Sequence, residues 1–223
     1  MKKTALLAVA FVCSYVLSAQ TAKWDSAYRP GMYHMKVEQF RVFPNSASDI
    51  IFLGNSITDY TDWNELLGIK EARNRGISGD ITFGVLDRLD EVTEGRPSKI
   101  FILIGINDIA RNIPDSIILS NYAKIIYRIK NESPKTRIYF NTLLPVNNTF
   151  TDKAHFNKDE HIMNVNAGLK KLGASEKITV IDIYPQFLDA ENRLDKKYTY
   201  DGLHLDGEGY QQWAGILKPY LKN

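Results

Sequence analysis

One cysteine and four histidines are all that 223 residues contain of the softer ligand-forming side chains. That leaves no material for a disulfide framework, a cysteine-rich zinc module or an iron–sulfur cluster, and no metal or cofactor is expected. An excess of one charge is lacking as well: 28 basic residues against 26 acidic ones give a formal charge of +2. Such a balance provides no field for nucleic acid or for an anionic membrane surface, so neither is an expected partner. Internal repeats and low-complexity tracts are also absent. What is present is an ordinary globular mixture, 44% hydrophobic and 24% charged, long enough for one full-sized core.

The N-terminus departs from that mixture. Lys2 and Lys3 precede an apolar run from Ala5 to Leu17, followed by Ser18-Ala19-Gln20. Basic, apolar and small residues in that order predict a secretory signal peptide over residues 1–19, cleaved after Ala19, and the run is short for a spanning helix. Cys13 follows Val12, where a lipoprotein signal would carry a small residue, so lipidation is not expected. Cleavage would remove the single cysteine and two lysines, leaving acidic and basic residues equal in number. The expected product is a cysteine-free domain exported to the periplasm or the medium, without stable membrane insertion. Its core alone must hold it together.

Beyond Ser48 the pattern alternates. Asp49–Leu53 and Lys99–Ile104 are short continuous apolar runs that end at glycine, as suits strands buried on both faces of a parallel sheet. Arg137–Leu143 and Ile178–Ile183 are further candidates, and the polar Ala72–Arg75 fits an edge strand. Between them the period is helical: Val85, Leu89 and Val92 before Gly95; Ile118, Tyr122, Ile125 and Ile129 between Pro114 and Pro134; Ile162, Val165, Leu169 and Leu172 before Gly173. Tyr210, Trp213, Ile216 and Tyr220 follow Asp206, a candidate N-cap. Five strands alternating with helices predict a three-layer α/β/α sandwich whose functional residues gather at the carboxyl ends of the strands. Residues 20–48 carry aromatics without clear period and are read as a strap packed on the domain, 49–223.

The strand ends hold the chemistry. The first strand runs into Gly54-Asn55-Ser56, the second into Gly76-Ile77-Ser78-Gly79-Asp80, the third into Gly105-Ile106-Asn107-Asp108, and Asp201-Gly202-Leu203-His204 lies near the C-terminus. A serine between small residues after a buried strand can act as a nucleophile if a base is at hand. His204 is the candidate base. Asp201, three residues earlier, can orient its ring if the segment turns helically. Gly79 can bring a backbone N–H close to a ligand, and the Asn107 amide is a donor that never titrates. With the Ser56 N–H these make three donors for an oxyanion. Each block alone has a commonplace reading as a turn, a cap or a surface pair; the set together is far more specific.

In order and spacing the four blocks resemble those of the SGNH hydrolases, also called the GDSL esterase/lipase superfamily. The branch resembling platelet-activating-factor acetylhydrolase is the nearest in pattern, given the second block and Leu143-Leu144-Pro145 after the fourth strand. The resemblance implies a flavodoxin-like five-stranded parallel sheet in the order 2-1-3-4-5. It also implies Ser56 as nucleophile, Asp201 and His204 as its partners, and Ser56, Gly79 and Asn107 as the oxyanion hole. Gly-Asn-Ser-Ile stands where the family nickname has Gly-Asp-Ser-Leu; that aspartate is not the triad acid, so the nucleophile is unaffected and the inference to a lipase weakens. The expected activity is hydrolysis of short-chain carboxylic esters, acetyl esters above all, of small molecules or glycans through an acyl-serine, and by analogy with the family the enzyme is expected to be a carbohydrate O-acetylesterase. Lipolytic acyl hydrolysis, acyl transfer to an alcohol and glycan binding without catalysis are the alternatives, the last disfavoured by the complete triad.

The other histidines, His34, His155 and His161, are read as structural or surface residues, the alternative being that His155 or His161 borders the substrate cleft. The six-residue spacing of His155 and His161 puts two helical ligands on different faces, which argues against a metal site.

Overall fold

The computed structural model describes residues 24–222, so the expected signal peptide, Met1–Ala19, lies outside the described residues. Five parallel strands, β1 (Ile50–Gly54), β2 (Ala72–Gly76), β3 (Lys99–Leu103), β4 (Arg137–Asn141) and β5 (Thr179–Ile181), form one sheet in the order β2-β1-β3-β4-β5. This is the order the family resemblance implies. Every residue of β1 and β3 is buried, because helices cover both faces of these central strands. The polar β2 takes an edge.

Alternation along the strands sorts the side chains onto the two faces. Phe52, Phe101 and Tyr139 stand in register across β1, β3 and β4. Their rings stack at centroid distances of 5.2 and 4.6 Å. Trp63 of α3 (Trp63–Leu67) covers Phe52 at 3.9 Å and meets Trp213 of α9 (Gly207–Leu221) edge-on at 4.9 Å. Both indole N–H groups are satisfied, by the Thr58 carbonyl and the Asn141 amide oxygen. Truncating a ring in such a ladder typically costs about 3–5 kcal/mol. The opposite face is covered by α4 (Thr82–Asp87), α5 (Leu89–Thr93), α7 (Asp115–Glu132) and α8 (Asp159–Glu176), with Tyr122 of α7 set against Phe140. Lys99 is fully buried at the start of β3 and spends its ammonium on the carbonyls of Leu221 and Lys222, closing the end of α9. Asp206 caps that helix as expected, accepting from the Gly209 N–H at 2.9 Å.

Four expectations are corrected. The strap contains a helix, α1 (Tyr33–Val42), whose buried Tyr33, Val37 and Phe40 form an i, i+4, i+7 stripe, and the Tyr33 hydroxyl donates to the Gly84 carbonyl. The helix expected through Val85, Leu89 and Val92 is broken at Arg88, whose backbone leaves helical geometry as its guanidinium turns into the core. Helix α8 continues through Gly173 to Glu176 and closes with Lys177 in the left-handed region at φ 53. Gly173 is therefore not a stop; a Cβ there would collide with Val180 of β5. Finally, β4 and β5 are shorter than expected. Side chains take over their ladder: Asn166 exchanges two hydrogen bonds with the Leu143 backbone, and Thr142 Oγ1 accepts the N–H groups of Ile183 and Tyr184.

Candidate active site

Ser56 begins a single helical turn, α2 (Ser56–Asp59), directly after β1, with Asn55 as N-cap accepting from the Ile57 N–H. Its hydroxyl lies 2.9 Å from His204 Nε2, across 148 residues of chain. His204 Nδ1 lies 2.8 Å from Asp201 Oδ2. The carboxylate can only accept, so Nδ1 carries the proton and Nε2 of the neutral ring presents a lone pair to the Ser56 O–H. Burial by itself would raise the Asp201 carboxyl, but the His204 ring N–H and the backbone N–H groups of His204 and Leu203 outweigh it and hold Asp201 down to about 2.

The helical turn expected between Asp201 and His204 is absent. Instead the Asp201 carboxylate folds back on its own chain: Oδ1 accepts from the N–H groups of Leu203 and His204 at 2.9 and 2.8 Å, leaving Oδ2 for the ring. This Asx-type turn brings residues i and i+3 together without a helix. Thr199 braces it, donating to the His204 carbonyl at 2.6 Å and accepting from the Gly202 N–H. Tyr60 and Tyr200, both exposed, flank the imidazole at centroid distances of 5.0 and 6.3 Å.

The opposite side of the site is assembled from separate elements. Gly79 has φ +81, a conformation that favours glycine, and among the described residues no protein acceptor takes its N–H. As the first residue of its helical turn, Ser56 likewise has no intrahelical acceptor for its N–H. Asn107, in α6 (Ile106–Ala110), donates from Nδ2 to the Asp80 carbonyl and receives on Oδ1 a contact from His155 Nε2, each at 2.9 Å. One Nδ2 hydrogen remains. The structure thus brings Ser56, Asp201 and His204 into one hydrogen-bonded line and joins Asn107 of α6 to the loop that carries Gly79 through the Asp80 carbonyl.

Beneath these donors lies a buried charge network that the sequence reading did not find. Arg88, fully buried, bonds Asp80 and Glu91 at 3.1 Å and the carbonyls of Gly54 and Arg75. Arg75 in turn bonds Glu91 and lies over the Phe40 ring of α1. Burial pushes the Asp80 carboxyl up to about 6 despite Arg88. Among the described residues Asp108 has no cation: burial pushes it up to about 7, partly offset by its bonds to the Thr82 hydroxyl and N–H.

His155 is neither a surface residue nor a remote structural one; it borders the cleft, as the alternative reading had it. A cavity of about 530 Å³ is lined by Trp24, Gly79, Asn107, Arg111 and His155 among others. Burial first, then the charges of His204, Lys153 and Lys158, push the His155 imidazole down to about 4, so the ring is neutral near neutral pH. His34 and His161 are surface residues, His161 bonded to Asp115 at 2.9 Å. A second, much smaller space of about 10 Å³ is lined by Asn55, Ile57, Ile106, Leu144 and Leu203 among others, and Ser56 does not line it. Among the described residues, no cluster of three or more His, Cys, Asp or Glu side chains could hold a metal ion.

Residues 52–212 match the model of the GDSL-like lipase/acylhydrolase family. Among curated proteins, the chain is 28% identical over 181 residues to the Escherichia coli N-acylneuraminate cytidylyltransferase, covering 79% of this chain and 41% of that one. It therefore spans about two fifths of that relative's length. It is 29% identical over 178 residues to the rat platelet-activating factor acetylhydrolase IB subunit alpha2, covering 77% of this chain and 73% of the relative. Among solved structures, a candidate platelet activating factor from Streptococcus pneumoniae is 30% identical with a TM-score of 0.77, covering 86% of this chain and 91% of that one.

Proposed function

The chain belongs to the GDSL-like lipase/acylhydrolase family, a family of carboxylic ester hydrolases, and we propose that it is an exported serine esterase that removes short acyl groups, acetyl above all, from carbohydrate. The observation that carries the chemistry is the hydrogen-bonded line Ser56–His204–Asp201. His204 Nε2 takes the hydroxyl proton as Ser56 Oγ attacks the ester carbonyl carbon. The oxyanion is held by the N–H groups of Ser56 and Gly79 and by Asn107 Nδ2. Collapse of the tetrahedral adduct expels the alcohol, which His204 protonates. Water, deprotonated by His204, then attacks the acyl-serine, and collapse breaks the acyl–Oγ bond, frees the acid and returns the proton from His204 to Ser56 Oγ.

Polarity favours a polar alcohol. The cavity of about 530 Å³ beside Asn107, with an indole, a guanidinium and an imidazole in its wall, is of a size that holds a sugar. The names of the two curated relatives, one an acetylhydrolase and one acting on an N-acylneuraminate, point the same way. Export rests on the order of basic, apolar and small residues in Met1–Ala19, and the hydrolase domain is taken as 49–223 with 20–48 as its strap.

The direct test is labelling of the purified protein with a fluorophosphonate, alongside acetate release from O-acetylated glycans. Labelling that is lost in Ser56→Ala, with acetate released by the unsubstituted protein, is the expected result. Hydrolysis that persists in Ser56→Ala would remove the nucleophile assignment. Preference for acyl chains of eight carbons or more would overturn the acetyl assignment and leave a lipolytic enzyme. N-terminal sequencing of protein recovered outside the cytoplasm tests export, with Gln20 the expected first residue.

A further inference from the structure

We propose that His155 is a positioning residue of the oxyanion hole, holding the Asn107 side chain so that its one unspent N–H is delivered to the reacting carbonyl; this rests on the esterase reading above. An asparagine amide is nearly symmetric in shape and opposite in polarity at its two ends, so an unrestrained side chain offers either a donor or an acceptor to the same place. Here both ends are decided. The Asp80 carbonyl can only accept, which puts Nδ2 at that end, and Oδ1 then faces His155 Nε2 at 2.9 Å, which must carry the hydrogen. With one Nδ2 hydrogen on Asp80 and Oδ1 on His155, the second Nδ2 hydrogen is the only free donor of a side chain that is 9% exposed. Without the imidazole, Oδ1 loses its donor and the amide is restrained at one end.

The histidine is itself held from two sides. Its segment is tied to the Asp201–His204 turn by the Asn147 N–H on the Gly202 carbonyl at 2.8 Å, and Phe156 beside it is buried. On the other flank, Lys158 places its ammonium on the carbonyls of Ile109 and Ala110, at the end of α6, and on Asn112. The loop that carries His155 is thus fastened both to the turn that supplies the base and to the helix that supplies Asn107. Its Nδ1 is buried with no partner among the described residues, so Nε2 is the atom that bonds within the protein.

The test is a double-mutant cycle on hydrolysis of an aryl acetate. His155→Leu should lower kcat about tenfold with KM within twofold, less than the loss of an oxyanion donor outright, because Asp80 still holds one end of the amide. His155→Gln, which can offer an N–H from its own amide, should recover most of that loss. In an Asn107→Ala background His155→Leu should cost less than twofold further, since there is no amide left to position. Should His155→Leu not fold, His155→Phe keeps a ring without the N–H and is read in its place. An unchanged kcat in the single variant, or an equal tenfold loss with and without Asn107, would overturn the proposal. If instead the unsubstituted protein neither hydrolyses the acetate nor labels with fluorophosphonate, the esterase reading has failed, and with it the premise.

Discussion

The two sides of Ser56 are built differently. The base side is one short stretch, Thr199 to His204, in which a carboxylate, its imidazole and their backbone bonds all come from residues at most five apart. The oxyanion side draws on β2, β3, the loop after β4 and a buried ion network, with partners 27 and 48 residues apart. Their electrostatics are opposite as well: hydrogen bonds hold Asp201 down to about 2, whereas burial lifts Asp80 and Asp108 to about 6 and 7. The Asp201–His204 pair is set by its own turn and needs the fold only to reach Ser56, while the oxyanion side depends on the core for every one of its partners.

Substitutions should separate the two sides by size of effect. His204→Ala removes the base and should lower kcat about 10⁵-fold or more in steady-state assays. Asp201→Asn should cost about 10⁴-fold, because the imidazole loses the partner that selects its tautomer. Asn107→Ala should cost about 10²–10³-fold in kcat with little change in KM, one donor of three being lost. An Asn107→Ala loss as large as that of His204→Ala would erase the distinction between an indispensable base and a shared set of donors.

Stability should divide along the same line. Arg88→Met leaves Asp80 buried without its cation and Glu91 with Arg75 alone, and should lower unfolding free energy by about 3–5 kcal/mol in urea titration. Lys153→Ala, which breaks a partly exposed 3.4 Å contact to Asp201, should cost about 1 kcal/mol or less. A separate effect concerns pH. Folded Asp108 keeps its proton up to about 7, against an ordinary value of 3.8, so the folded state binds more protons across that interval and stability falls as pH rises through it. Asp201 works in reverse, its contribution being present above 3.8 and lost as pH falls towards 2. Melting curves of Asp108→Asn should therefore decline less between pH 5 and 8, by about 5–10 °C, while the acid side is unchanged. A decline identical to that of the unsubstituted protein would show that Asp108 is not the group being titrated.

What the sequence determined by itself is whatever its neighbours in the chain record. Continuous apolar runs marked the central strands, helical spacing marked α7, α8 and α9, the blocks around Ser56, Gly79 and Asn107 marked the strand ends where polar groups can reach solvent, and Asp201–His204 marked a pair near the C-terminus. Even there the local route differed, since Asp201 meets His204 through an Asx-type turn. The tertiary structure alone decided the rest. The stripe of Tyr33, Val37 and Phe40 was present in the sequence, but without the Gly84 carbonyl and the Arg75 guanidinium nothing distinguished it from scattered aromatics. Arg88 reads as an ordinary helical cation until the fold closes over it. His155 has no neighbour in sequence that betrays its partner, because a hydrogen bond to Asn107 exists only once β3 and the loop after β4 stand side by side. Periodicity and turn chemistry are properties of adjacent residues, whereas the pairing of a buried polar group is a property of whatever the packed core places opposite it.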